Sequence, residues 1–115
     1  MTIKDYHKIK NFSPFISNNL FQKNLEFIKD KLNNNTNCII ISHHTPSYNC
    51  IPKKYHGDSV NCCFASNLDY LFDNPNLLGW IYGHTHHNYI KYSKNNFIYA
   101  NCYRTDYYIN NGTVL

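Results

Sequence analysis

The chain has 115 residues, 43% of them apolar and 17% aromatic, with a formal net charge of +4 and a +4 that comes from scattered lysines. That length and apolar content fit one modest globular domain and exclude a disordered chain. No run of five or more basic residues occurs and no apolar stretch approaches the roughly 20 residues of a membrane span, so neither a dedicated nucleic-acid patch nor a membrane partner is expected.

In chain order, residues 1–19 carry no clear period and read as irregular, with Ser13-Pro14 as a turn or helix-start signal. Residues 18–32 read as a helix, because Leu20, Phe21, Leu25, Ile28 and Leu32 recur at helical spacing and Lys23, Glu26, Lys29 and Asp30 fall mostly opposite. Asn18 or Asn19 is the expected cap, and Asn33-Asn34-Asn35 the stop. Residues 37–42 form a short, β-branched apolar run, expected as a strand covered on both faces. A long loop follows over 47–61. The spacing of Phe64, Leu68, Leu71 and Phe72 predicts a helix over 62–73, ended by Asn74-Pro75-Asn76. Residues 78–82 read as a second buried strand, and 89–93, 96–101 and 106–109 as further strands in a meander, with Asn95-Asn96 and Asn110-Asn111-Gly112 at the turns. The order helix, strand, helix, strand, meander is an α/β layered pattern.

Five cysteines occur with no CxxC pair, and Met1–Lys10 is polar and charged. A reduced, intracellular and cytoplasmic protein is the expectation, with the cysteines as small buried hydrophobes.

Two segments carry chemistry by one design: an apolar strand that delivers histidines at its carboxyl end. The first is Ser42-His43-His44-Thr45-Pro46 after Ile39-Ile40-Ile41, and the second is Gly83-His84-Thr85-His86 after Trp80-Ile81-Tyr82. Loops at the carboxyl ends of strands converge over a crevice in open α/β sheets. If 83–86 is extended, His84 and His86 face one side about 6–7 Å apart, able to grip one cation or serve two neighbours. Gly83 permits an unusual backbone or a close approach. His7, His56 and His87, each taken singly, read as surface or hydrogen-bonded residues.

These two segments resemble the last two metal motifs of calcineurin-like metallophosphoesterases. The intervening Phe64-Ala65-Ser66-Asn67-Leu68 is similar to the helix between those motifs in small members, and Asp5-Tyr6 with the following helix to the stretch upstream. The resemblance implies an α/β fold, namely half of a four-layer αββα sandwich, with residues 1–115 as a partial domain whose N-terminal half is absent. It implies a metal-dependent phosphoesterase, hydrolysing phosphomonoesters or phosphodiesters with two divalent ions (Mn, Fe or Zn). His43 would bind the second metal with His84, and His86 the first. His44 is the alternative to His43 and the candidate catalytic proton donor. Asn101 stands where the family often has an Asn-Pro-Arg-Gly turn, but Cys102-Tyr103-Arg104 departs from it.

The Asp-x-His, Gly-Asp and Gly-Asn-His motifs of the family's first half do not occur, and Gly57-Asp58 follows the first histidine motif instead of preceding it. Three histidines do not make a two-cation site. The leading expectation is a fragment, incomplete alone, whose partners are a phosphoester substrate and a separate N-terminal half. The alternatives are an inactive remnant and a structural zinc-binding interaction module. A half-sandwich is also expected to expose an apolar sheet edge and face.

Overall fold

The computed structural model describes residues 3–101, so the strand expected over 106–109 and the turn at 110–112 lie outside the described residues. The chain divides into two compact units, Met1–Asn35 and Thr36–Leu115.

The first unit is helical. A single turn, α1 (Asp5–Lys8), precedes the long α2 (Pro14–Asn34). The helix therefore starts four residues earlier than its apolar spacing predicts. Ser13, not Asn18 or Asn19, is the cap: its extended backbone lets the hydroxyl accept from Ile16 N at 3.3 Å, and Pro14 occupies the first turn, where its missing N–H costs nothing. Phe21, Leu25, Ile28 and Leu32 form the less exposed stripe, whereas Leu20 is half exposed. Asn34 and Asn35 close the helix by donating their side-chain amides to the carbonyls of Asp30 and Lys31, each at 2.9 Å.

The second unit is built on a four-stranded sheet of β1 (Cys38–Ile41), β2 (Leu77–Ile81), β3 (Tyr89–Tyr92) and β4 (Phe97–Ala100), in the order β1-β2-β4-β3. β1 and β4 both run parallel to β2, and β3 pairs antiparallel with β4. The late strands are thus not a simple meander: β4 returns beside β2 and leaves β3 on the edge. The tight link is capped by Ser93, whose hydroxyl donates to Asn96 Oδ1 at 2.6 Å and whose N–H bonds Asn96 O at 2.8 Å. Asn37 enters β1 with a left-handed φ of 57°, a conformation asparagine tolerates.

The helix expected over 62–73 is absent as such. Two short 3₁₀ turns, Ser59–Cys63 and Asp69–Asp73, stand there instead, after two more in the preceding loop, Tyr48–Cys50 and Lys53–Tyr55. The reason is competition for backbone groups. Thr45 N donates to Phe64 O at 3.1 Å, Ser66 N to Thr45 O at 3.0 Å and Leu68 N to Pro46 O at 2.9 Å. These tertiary bonds use amides and carbonyls that a helix would pair internally.

Register and alternation assign the two sheet faces. Ile40, Trp80, Ile98 and Ala100 share one face, with Trp80 and Ala100 buried and the Phe72 ring 5.7 Å from the Trp80 ring. Ile39, Ile41, Gly79, Ile81, Phe97, Tyr99, Ile90 and Tyr92 share the other. That second face is open: Ile41 is 77% exposed, Tyr92 73%, Ile90 55% and Ile39 51%. β1, expected to be covered on both sides, is covered on one. No helix among the described residues is long and apolar enough to cross a membrane.

Candidate metal centre

The parallel pairing of β1 and β2 places their carboxyl ends side by side, and the backbone ladder continues past both strands. Ser42 N donates to Ile81 O at 3.0 Å, Gly83 N to His43 O at 3.0 Å, and Tyr82 N to Tyr99 O at 3.0 Å. This ladder sets the position of the histidines that follow. His43 Nε2 and His84 Nδ1 meet at 3.0 Å, one of them carrying the proton between them. The His44 ring lies 4.4 Å from the His84 ring and 5.1 Å from His43, centroid to centroid.

Two side chains outside the expected set support this cluster. Ser42 Oγ donates to His44 O at 2.6 Å and accepts from Trp80 Nε1 at 2.8 Å, tying the loop to the buried indole. The Phe64 ring lies 4.7 Å from His84. Its spacing alone puts Phe64 on a helix stripe; the Thr45–Ala65 bridge next to it is a tertiary contact with no local signal.

Residues 83–86 are not extended, so the alternation argument for His84 and His86 fails. Thr85 N bonds Gly83 O at 2.7 Å in a tight turn, and both His84 (φ 65°) and His86 (φ 50°) are left-handed. A non-glycine residue pays for that conformation, and such strain gathers where a loop is held for function. The turn aims His84 at His43. His86 is exposed, and among the described residues no ring contact joins it to the cluster.

Burial, and next the neighbouring His43, push the His44 imidazole below its ordinary pKa, which favours the neutral ring. Behind the loop, burial pushes the Cys50 thiol and the Tyr82 phenol up. Tyr82 Oη is buried with no hydrogen-bond partner among the described residues.

The donor chemistry of the cluster fits a cation in part. Two bonds of about 2.0–2.1 Å from imidazole nitrogens to one tetrahedral ion place those nitrogens about 3.3–3.4 Å apart. The 3.0 Å between His43 Nε2 and His84 Nδ1 is a few tenths of an ångström shorter, a hydrogen-bonded contact that a small ring movement would open to that spacing once the shared proton is lost. Among the described residues no group of three histidine, cysteine or acidic side chains is arranged to complete a coordination sphere.

Comparison with known proteins gives one match: the family model for calcineurin-like phosphoesterases matches residues 2–88, which include both histidine segments and stop short of β3. Neither curated proteins nor solved structures give a match. With most of its length matched and both histidine segments inside the match, the chain belongs to the calcineurin-like phosphoesterase family, a generally metal-dependent family whose membership suggests a phosphoesterase-type function.

Proposed function

We propose that this chain supplies the second-half histidines of a two-cation phosphoesterase site, and that it hydrolyses phosphomonoesters or phosphodiesters only together with the ligands of the first half. The observation that carries the reading is the convergence of His43 Nε2 and His84 Nδ1 at 3.0 Å on adjacent strand ends. His43 and His84 would hold one divalent ion (Mn, Fe or Zn), with His86 left for a second. When bound, such ions acidify a water and stabilise charge on the phosphoryl oxygens. The chain's own work is to hold the pair: the Gly83–His43 backbone bond, the left-handed turn at His84 and the Phe64 ring fix the imidazole directions before any ion arrives. His44, whose ring lies beside both, would be the proton donor to the leaving oxygen, a role that needs its imidazole to gain a proton against the burial that favours the neutral ring.

The same reading accounts for the open sheet face. Ile39, Ile41, Ile81, Phe97, Tyr99, Ile90 and Tyr92 make an apolar surface of the kind that a second sheet covers in a sandwich. We infer that this surface is the inner face of one half of a four-layer αββα domain. Residues 1–115 are then a partial domain, and the Asp-x-His, Gly-Asp and Gly-Asn-His segments come from a separate polypeptide or from sequence beyond these residues.

The test combines the chain with a polypeptide carrying those three segments and follows release of nitrophenol from mono- and bis-nitrophenyl phosphate with Mn, Fe or Zn. Hydrolysis that needs both parts and drops at least about 100-fold in His84→Ala supports the reading. Turnover that survives His43→Ala and His84→Ala together, or no turnover from the combined parts with any of the metals, overturns it.

A further inference from the structure

Cys62 and Cys63 end the 3₁₀ turn Ser59–Cys63, and their Sγ atoms stand 3.8 Å apart with one thiol donating to the other. Cys62 is exposed and Cys63 half-buried. The turn holds this arrangement: Cys62 Sγ reaches Ser59 O at 3.4 Å, and Phe64 N and Ala65 N both bond Asn61 O at 3.0 Å.

Two chemistries are open to neighbouring thiols. A disulfide needs sulfurs about 2.05 Å apart and Cα atoms usually about 4.4–6.8 Å apart. Consecutive Cα atoms are fixed about 3.8 Å apart by the trans peptide. The bridge would therefore be strained, and closing it would undo the turn. Chelation needs no such movement. Two thiolates bonded at about 2.3 Å to one tetrahedral cation sit about 3.8 Å from each other. That is the separation observed. Burial and the adjacent Cys62 raise the Cys63 thiol, because two thiolates so close repel. A shared cation removes that repulsion and displaces the thiol protons.

We propose that Cys62 and Cys63 form a bidentate thiolate site for a soft divalent cation such as zinc or cadmium, built from residues other than the histidine pair. Two coordination positions remain for solvent or a small external ligand, since no third protein donor joins them among the described residues. Phe64 follows Cys63 directly, and its ring lies 4.7 Å from His84. Occupancy of the thiolate site thus anchors the residue that supports the candidate metal-binding histidine.

Cadmium(II) is the probe, titrated into the reduced 115-residue chain while the ultraviolet thiolate-to-cadmium charge-transfer band is recorded. The expected result is a band that saturates at one ion per chain and weakens in affinity at least roughly 10-fold in Cys62→Ser. Cys62 is exposed, so this variant keeps the wild-type circular dichroism, and Cys62→Ala serves as its duplicate. His43→Ala with His84→Ala leaves the band in place, which separates this site from the phosphoesterase reading. No saturable band in the reduced wild type, or an undiminished band in Cys62→Ser, overturns the proposal.

Discussion

Single side chains here do work at both ends of the histidine loop. Ser42 is the clearest: one hydroxyl accepts from Trp80 Nε1 and donates to His44 O. Replacing it with alanine leaves a buried indole N–H without its acceptor and frees the His44 carbonyl. A loss of about 1–3 kcal/mol is expected for Ser42→Ala, read as a lower urea midpoint with an unchanged slope. Wild-type stability in that variant would show that water replaces the hydroxyl. Cys50 and Tyr82 give a pH dependence. Both groups have folded-state pKa values raised above their ordinary 9.0 and 10.0, chiefly by burial. The fold therefore favours their neutral forms. Their contribution is fully present below about pH 9 and is lost as pH rises, because the unfolded chain releases these protons first. Urea unfolding at pH 7.5 and pH 10.5 should give a lower midpoint at the higher pH. A midpoint that holds or rises would contradict the burial argument. In the same native chain, Cys50 should resist alkylation at pH 8 while exposed Cys62 reacts.

Elements are positioned by contacts that run across the sheet. Gly79 in β2 is the tightest, since a Cβ there would run into the Phe97 ring of the neighbouring β4. Gly79→Ala should cost about 1–3 kcal/mol through overpacking and a displaced ring. Adding Phe97→Leu should recover part of that loss, a coupling that a double-mutant cycle measures. Additive losses in the cycle would mean the two positions do not meet. The strands themselves were legible because β-branched and aromatic runs flanked by Asn, Pro and Gly have few other solutions, and β1 to β4 fall within a residue or so of their expected bounds. The stretch over 62–73 was not legible. Phe64, Leu68, Leu71 and Phe72 do recur at helical spacing, but Thr45 and Pro46 take the backbone bonds of Phe64, Ser66 and Leu68, and 3₁₀ turns form on either side. Local periodicity carries no information about which distant amide will compete for a carbonyl.

At the scale of the molecule, the open apolar sheet face decides solution behaviour. With Ile41 and Tyr92 among its most exposed members, the isolated chain should self-associate. Ile41→Lys should shift sedimentation toward the monomer and, in the combined-chain experiment, weaken assembly with the complementary half. A monomeric wild type that Ile41→Lys leaves unchanged would argue against a covering sheet. The sequence by itself determined the mixed α/β character, the strands, the two histidine segments and the family they point to, because those features depend on short-range spacing and residue type. Only the tertiary structure decided the rest. Parallel pairing of β1 with β2 brings His43 within 3.0 Å of His84 across forty-one positions of chain. Two left-handed residues turn 83–86 away from the extended form, so that His84 enters the cluster while His86 stays exposed. Those outcomes come from strand register and hydrogen bonds between distant segments, and neither is encoded in any local window of residues.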